Sequence, residues 1–201
     1  SYYKSFPLMI ESWREEWGMD LPFYFVQIAP YKYDDPMATD AAHVRDAQLY
    51  TMQNLDNTGM VVTNDIGNLE NIHPTNKQDV GHRLALWALG KTYGKDGLEY
   101  SGPIYRSMET KNKKIILSFD HVDKGLMLKG KDLREFFIAG EDGAFYPAKA
   151  KIRGNTVEVS ASKVKKPVAV RFAFTNGALP NLFNSEGLPA SAFRTDNWEL
   201  K

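Results

Sequence analysis

The sequence predicts a partial three-layer α/β domain over residues 1–98, followed by an all-β sandwich or jelly-roll-like domain over residues 99–201. Three observations predict it. Helix-period and strand-like apolar runs alternate through the first half, in the order of a doubly wound sheet. From about Tyr100 the apolar residues switch to period two, most clearly at Val168, Val170, Phe172 and Phe174. Turn signals at Thr110 to Lys113, Asp142-Gly143 and Gly154-Asn155 separate these runs as they would short antiparallel strands.

Phe6, Met9, Ile10, Trp13 and Trp17 recur at three- and four-residue spacing, so Tyr2 to Trp17 is expected to form an amphipathic helix stopped by Gly18. Leu21 to Ile28 is apolar almost throughout, which suits a strand covered on both faces, and Ala29-Pro30 ends it. Thr39 to Leu55 follows as a second helix, with Ala42, Val44, Leu49, Tyr50 and Met52 on the buried side and Arg45 and Gln48 bracing a loop. Met60, Val61 and Val62 suit a second buried strand, broken by Asp65 to Gly67. A third helix is expected from Thr75 to about Tyr93, because Thr75 and Gln78 have capping-box spacing and Gly94 is a stop. On that helix Val80, Leu84, Trp87, Ala88 and Lys91 share one stripe, while Lys77, Asp79, His82 and Arg83 are expected to face water.

Two strands are too few for a parallel sheet with helices on both faces, which normally has about five. Sheet neighbours are therefore expected from polypeptide upstream of Ser1 or from another chain. In the second half, Ile115, Leu117 and Phe119, Val157 and Val159, and the Val168 run belong to an expected six or seven short strands. The stretch 176–196 is irregular yet carries Leu182, Phe183, Leu188 and Phe193, so it is expected to pack back on a domain surface.

Composition narrows the chemistry. The absence of cysteine removes disulfides, thiolate metal sites and cysteine nucleophiles, and His43, His73, His82 and His121 follow no known ligand spacing, so no metal site is expected. The longest apolar runs fall well short of the roughly 20 residues of a bilayer span, so no membrane partner is expected. Net charge is zero, but residues 1–100 hold 8 Lys and Arg against 14 Asp and Glu, and residues 101–201 hold 17 against 11. Two attracting surfaces explain this better than nucleic-acid binding, since the lysines of the basic half fall at turns without an RNA-binding aromatic motif.

His73 is the candidate catalytic residue. It sits where strand gives way to helix, at the edge of an open sheet where ligands bind. By pattern alone, a loop histidine that caps the next helix is the simpler reading.

The blocks Leu21-Pro-Phe-Tyr-Phe-Val-Gln-Ile-Ala-Pro-Tyr31, Val61-Val-Thr-Asn-Asp-Ile-Gly67, Ile72-His-Pro-Thr-Asn-Lys-Gln78 through Leu89, Ser101-Gly-Pro-Ile-Tyr105 and Gly187-Leu-Pro-Ala-Ser-Ala-Phe-Arg-Thr-Asp196 together resemble the sialate O-acetylesterase family, of the SGNH hydrolase superfamily. The resemblance covers nearly the whole chain. It implies a flavodoxin-like α/β hydrolase domain and removal of O-acetyl groups from sialic acids or other acetylated sugars by a serine nucleophile, without a cofactor. His73 matches the histidine that takes the serine's proton, general-base work that suits a neutral imidazole near pH 7. A secreted, periplasmic or lysosomal location is implied as well.

Two departures matter. The Gly-Asp-Ser-type nucleophile block and the glycine and asparagine blocks of the oxyanion hole are not found here, so the chain resembles the C-terminal portion of such an enzyme, expected to be inactive alone. The superfamily also places an aspartate three residues before its histidine, where this chain has Glu70. Glu70 can accept the imidazole Nδ1 proton; Asp65 and the lack of any carboxylate partner are the alternatives. Gln27 and Asn64, at the ends of their strands, are the candidates for lining an acetyl-sugar pocket. Ser5, Ser101 and Ser160 lack an elbow or base, and none is expected to be the nucleophile. The competing reading is a non-catalytic carbohydrate-binding or structural module.

Overall fold

A computed structural model describes residues 1–199 and shows a mixed α/β chain with three α-helices and several antiparallel sheets. The first half comprises α1 (Tyr2–Trp17), β1 (Phe23–Val26), α2 (Asp40–Asn54), β2 (Thr58–Val61) and α3 (Lys77–Trp87), the last running into a π-helical turn at Ala88–Thr92. β1 and β2 pair in parallel, Phe23 opposite Thr58 and Val26 opposite Val61.

α1 stops at Gly18, whose φ of 62° suits a residue without Cβ. Its Phe6 and Ile10 are buried, and the Phe6 ring meets Phe25 at 4.8 Å. Trp13 and Trp17, expected on the same buried stripe, are 47% and 60% exposed. Trp13 reaches Phe23 at 5.8 Å, and among the described residues no further strand lies beyond β1 for the stripe to cover.

The edges of the strand pair are finished by side chains. The pairing turns the carbonyls of Met60 and Val62 away from β1, and these accept from Trp87 Nε1 at 3.0 Å and Arg83 Nη1 at 2.7 Å. On the outer edge of β1, Gln48 stands in for one peptide of an absent neighbour: its Oε1 accepts from the Ile28 N–H at 2.9 Å and its Nε2 donates to the Val26 carbonyl at 3.1 Å. The Tyr24 N–H and C=O and the Val26 N–H stay open among the described residues.

This corrects the expected faces of two helices. On α2 Tyr50 is exposed while Arg45 and Gln48 are buried, because both reach backbone groups that would otherwise lack partners; Arg45 Nη2 donates to the carbonyls of Thr175 and Ala173. Burial pulls the Arg45 guanidinium down to about 10. On α3 Arg83 is buried rather than facing water. The cap is also one residue later than the Thr75–Gln78 spacing suggested: Asn76 Oδ1 accepts from the Asp79 N–H at 3.1 Å, and Asp79 Oδ2 accepts from Asn76 Nδ2 at 2.8 Å. Asparagine is among the strongest N-caps.

The second half holds β3 (Ile104–Lys111), β4 (Lys114–Asp120), β5 (Leu126–Leu128), β6 (Phe136–Ala139), β7 (Phe145–Pro147), β8 (Lys149–Arg153), β9 (Thr156–Ser160), β10 (Ala169–Phe172), β11 (Leu182–Asn184) and β12 (Phe193–Arg194). They form two four-stranded sheets, β3-β4-β9-β8 and β12-β10-β6-β7, and the pair β11-β5. The expected six or seven strands undercount them, since several have only two or three residues and cannot show alternation. Ile115, Leu117, Val157 and Val159 of one sheet and Phe136, Ile138, Val170 and Phe172 of the other are buried in one apolar cluster, which also takes in Phe6, Ile10, Phe25 and Met60.

The last stretch packs back on the start of the second half. Asn184 Nδ2 donates to the carbonyls of Ser101 and His121, the Ser191 N–H to Pro103, and Phe193 stacks on Tyr105 at 4.8 Å. Gly102 lies so close that an added Cβ would stand 1.9 Å from the Pro189 carbonyl oxygen. The obstacle is backbone, which cannot swing aside. Gly102→Ala is therefore expected to lower stability by on the order of 3 kcal/mol, the upper range for overpacking, as measured by urea unfolding.

Candidate active site

The loop from Thr63 to Asn76 carries His73 at the C-terminal end of β2. Its shape is set by short polar side chains. Thr63 Oγ1 donates to the Gln27 carbonyl at 2.8 Å, extending the strand pairing by one contact. The Glu70 N–H donates to Asn68 Oδ1 and the His73 N–H to Asn71 Oδ1, both at 2.9 Å. These are two successive Asx turns. Gly67 passes Pro30 so closely that a Cβ would lie 3.0 Å from the proline ring. Asn76 then starts α3, so three asparagines determine the path through His73.

Asp65 anchors the loop. Its two carboxylate oxygens accept from Arg83 Nη1 and Nη2, each at 2.7 Å, in a fork-on-fork pair with side chains only 12% and 10% exposed. Because Arg83 also holds the Val62 carbonyl, the pair locks the strand end, the loop and α3 together. Both oxygens of Asp65 are thus engaged by Arg83.

His73 and Glu70 are both exposed on this loop. Glu70 pairs with Lys32, from the loop after β1, and this contact raises the lysine's pKa through the hydrogen bond and the charge of Glu70. No side-chain hydrogen bond joins Glu70 or Asp65 to the His73 ring among the described residues. Beside His73, its neighbours Ile72 and Pro74 line a cleft of about 330 Å³ shared with Gln27, Thr63 and Lys77.

Gln27 and Asn64 are buried, at 1% and 2% exposure. Gln27 Nε2 donates to the Arg45 carbonyl at 3.1 Å and to Ser191 Oγ at 3.2 Å, and Asn64 Nδ2 donates to the Ala190 carbonyl at 2.8 Å. Both amide nitrogens thereby hold neighbouring backbone or the tail. Their oxygens, Gln27 Oε1 and Asn64 Oδ1, are buried without a hydrogen-bond partner among the described residues, as is Arg45 Nη1.

Sequence reasoning missed Lys32, Gln48 and Arg83 as partners of this region. The spacings Asn68-Leu-Glu70 and Asn71-Ile-His73 carried a readable Asx-turn signal. The Asp65–Arg83 pair spans 18 residues, with no local pattern to reveal it.

No protein-family model matches the chain. Among curated proteins, it is 27% identical over 155 residues to the sialate O-acetylesterase of Rattus norvegicus and 28% identical over 155 residues to that of Homo sapiens, 69% of this chain in each case. Among solved structures, it superposes on a carbohydrate acetylesterase from Xanthomonas citri with a TM-score of 0.92 and 42% identity over 98% of its length. The chain is thus similar in sequence to sialate O-acetylesterases, and in sequence and fold to a carbohydrate acetylesterase. It spans 28% and 29% of the lengths of the rat and human sialate O-acetylesterases and 46% of the Xanthomonas chain, a partial coverage consistent with placement in the C-terminal portion.

The Asp65–Arg83 pair is open to a direct test. Arg83→Ala leaves a mostly buried carboxylate without its cation, which is expected to cost on the order of 3 kcal/mol. Hydrogen exchange should show the amides from Ile66 to His73 losing protection ahead of those in β4 and β9.

Proposed function

We propose that this chain supplies the histidine half of a serine esterase centre that removes acetyl groups from an acetylated carbohydrate, an acetylated sialic acid among the candidates. The carrying observation is His73 itself, exposed on a braced loop at the C-terminal end of a parallel strand, beside a ligand-sized cleft. The acetylesterase relatives support ester hydrolysis as the reaction class.

In this reading the serine and the oxyanion donors belong to polypeptide upstream of these 201 residues, which pairs with the open edge of β1. The Tyr24 N–H and C=O and the Val26 N–H, open among the described residues, support this, as do the neighbouring exposed residues Leu8, Trp13, Trp17 and Met19. A strand laid there would extend the sheet, and a helix over it would cover the tryptophans. The division at residues 98 and 99 into a hydrolase part and a β-sandwich part belongs to the same proposal.

The chemistry then runs through His73. Its imidazole takes the serine proton as the oxygen attacks the acetyl carbonyl, and returns it to the departing sugar hydroxyl; water repeats the sequence to release acetate. Glu70 is the proposed orienter, because it lies on the same loop and Lys32 is exchangeable at the surface, whereas Asp65 is held by Arg83 on both oxygens. Gln27 and Asn64 are the proposed residues of the substrate pocket: Gln27 borders the cleft, and the amide nitrogens of both hold the α2 backbone and the tail behind it.

In the longer enzyme, His73→Ala is expected to lower the turnover of an acetylated sugar about a thousand-fold, within the range for loss of a general base. Undiminished turnover would overturn the assignment. Glu70→Gln is expected to lower kcat with little change in KM, and an unchanged kcat would leave the histidine acting without a carboxylate partner. The 201-residue chain alone is expected to hydrolyse p-nitrophenyl acetate no faster than its His73→Ala form.

A further inference from the structure

A hollow of about 400 Å³ lies between the start of α2 and the β6–β7 turn. On one side are Phe145 and Trp198, their rings 5.6 Å apart and tilted by 58°. The Trp198 carbonyl accepts from Arg194 Nη1 at 3.1 Å, which fixes the backbone that carries the indole, and the ring packs over Gly143. The other side is polar: Thr39, His43, Asp142 and Glu199. Thr39 precedes α2 as its N-cap residue yet makes no side-chain cap bond, which leaves its hydroxyl available. Asp142 Oδ1 accepts from the Ala144 N–H, and its second oxygen has no partner among the described residues. The half-buried His43 is held toward its neutral form by burial and by the charges of Arg194 and Arg171.

The charges select the ligand. Arg171, the cation in the wall, is bound by Asp196 through Nε and Nη2 at 2.9 and 2.8 Å, and its guanidinium lies 4.2 Å from the centre of the Phe145 ring. Its charge is already matched. Asp142 and Glu199 would repel a carboxylate or phosphate. What remains is an aromatic wall opposite neutral and acidic hydrogen-bonding groups. Ring faces carry negative quadrupole charge and attract the weakly positive C–H groups of a sugar ring, while its hydroxyls can bond to His43, Thr39 and Asp142. The volume lies within the range of about 300–1,000 Å³ common for small-ligand sites.

We infer that this hollow is a second carbohydrate site, taking one ring of a neutral pyranoside stacked on Trp198. It does not depend on the esterase reading. Topology adds a consequence: Thr39 follows the loop from β1 and His73 the loop from β2, so the hollow opens at the same end of the parallel pair as the proposed centre.

The test is titration of the 201-residue chain with methyl β-glucopyranoside, methyl β-galactopyranoside and methyl β-glucuronoside, read by saturation-transfer NMR and the Trp198 indole signal. At least one neutral glycoside is expected to bind with Kd on the order of 1 mM. Trp198→Ala should weaken it at least about tenfold, the loss of one strong contact, and His43→Gln should weaken it while leaving Tm unchanged. His73→Ala should bind as the parent does, which separates this site from the esterase centre. Absence of binding to either neutral glycoside up to about 50 mM, equal binding by Trp198→Ala, or preference for the glucuronoside would each overturn the proposal.

Discussion

The grip of residues 184–196 on the rest of the chain is the constraint on which the structure depends. The parallel pair β1–β2 is only four residues long in each strand. A two-stranded sheet of that length has little stability of its own. Its C-terminal ends are held by the amides of Gln27 and Asn64 bonding to Ser191 and Ala190, while the next residues stack on Tyr105 and bond to Asp46. The histidine loop therefore starts from strand ends that the second half of the chain holds in place.

One ion pair crosses between the halves, within a small network. Tyr3 on α1 donates to Asp46 on α2, Asp46 accepts from Arg194 in the tail, and Asp196 pairs with Arg171 on β10. Burial of the phenol, together with the Asp46 hydrogen bond and charge, raises the Tyr3 pKa. One acidic residue of the first half, Asp46, thus meets one basic residue of the second, Arg194, in a partly buried network, where such a contact is worth more than at an open surface. The side chains of Asp46 and Arg194 are 14% and 15% exposed, so solvent screens this link only in part.

Much of the local structure was legible because it follows from short-range rules. The helix ending at Gly18, the hairpin turns at Asn112 and Gly154, and the buried alternation through Val170 and Phe172 all appear at or near their expected places. Readings that depended on partners distant in sequence were not legible. Periodicity placed Trp13 and Trp17 on a buried stripe and Arg83 in water, yet the first two lie beside an open strand edge and the third is tied to Asp65 and the Val62 carbonyl. The loop-bracing role expected of Gln48 is met in its bond to the Ile28 N–H after β1, but its replacement of a backbone neighbour on the strand edge was hidden. At the site, the position of His73 on a strand-to-helix loop could be read from turn residues alone. The commitments of Glu70 to Lys32 and of Asp65 to Arg83 required the fold.

The chain thus has a histidine delivered by a well-braced loop, next to a strand edge with unpaired backbone groups and an uncovered aromatic flank. Both features are explained if His73 serves a nucleophile carried by polypeptide that completes the sheet. The most direct measurement is a crystal structure of the longer protein inactivated with an alkyl phosphonate, which bonds covalently to an activated serine. The expected result is His73 Nε2 hydrogen-bonded to the phosphonylated serine, with a strand from the added polypeptide paired to Tyr24 and Val26. A modified serine served by a different histidine, with His73 left in solvent, would contradict it.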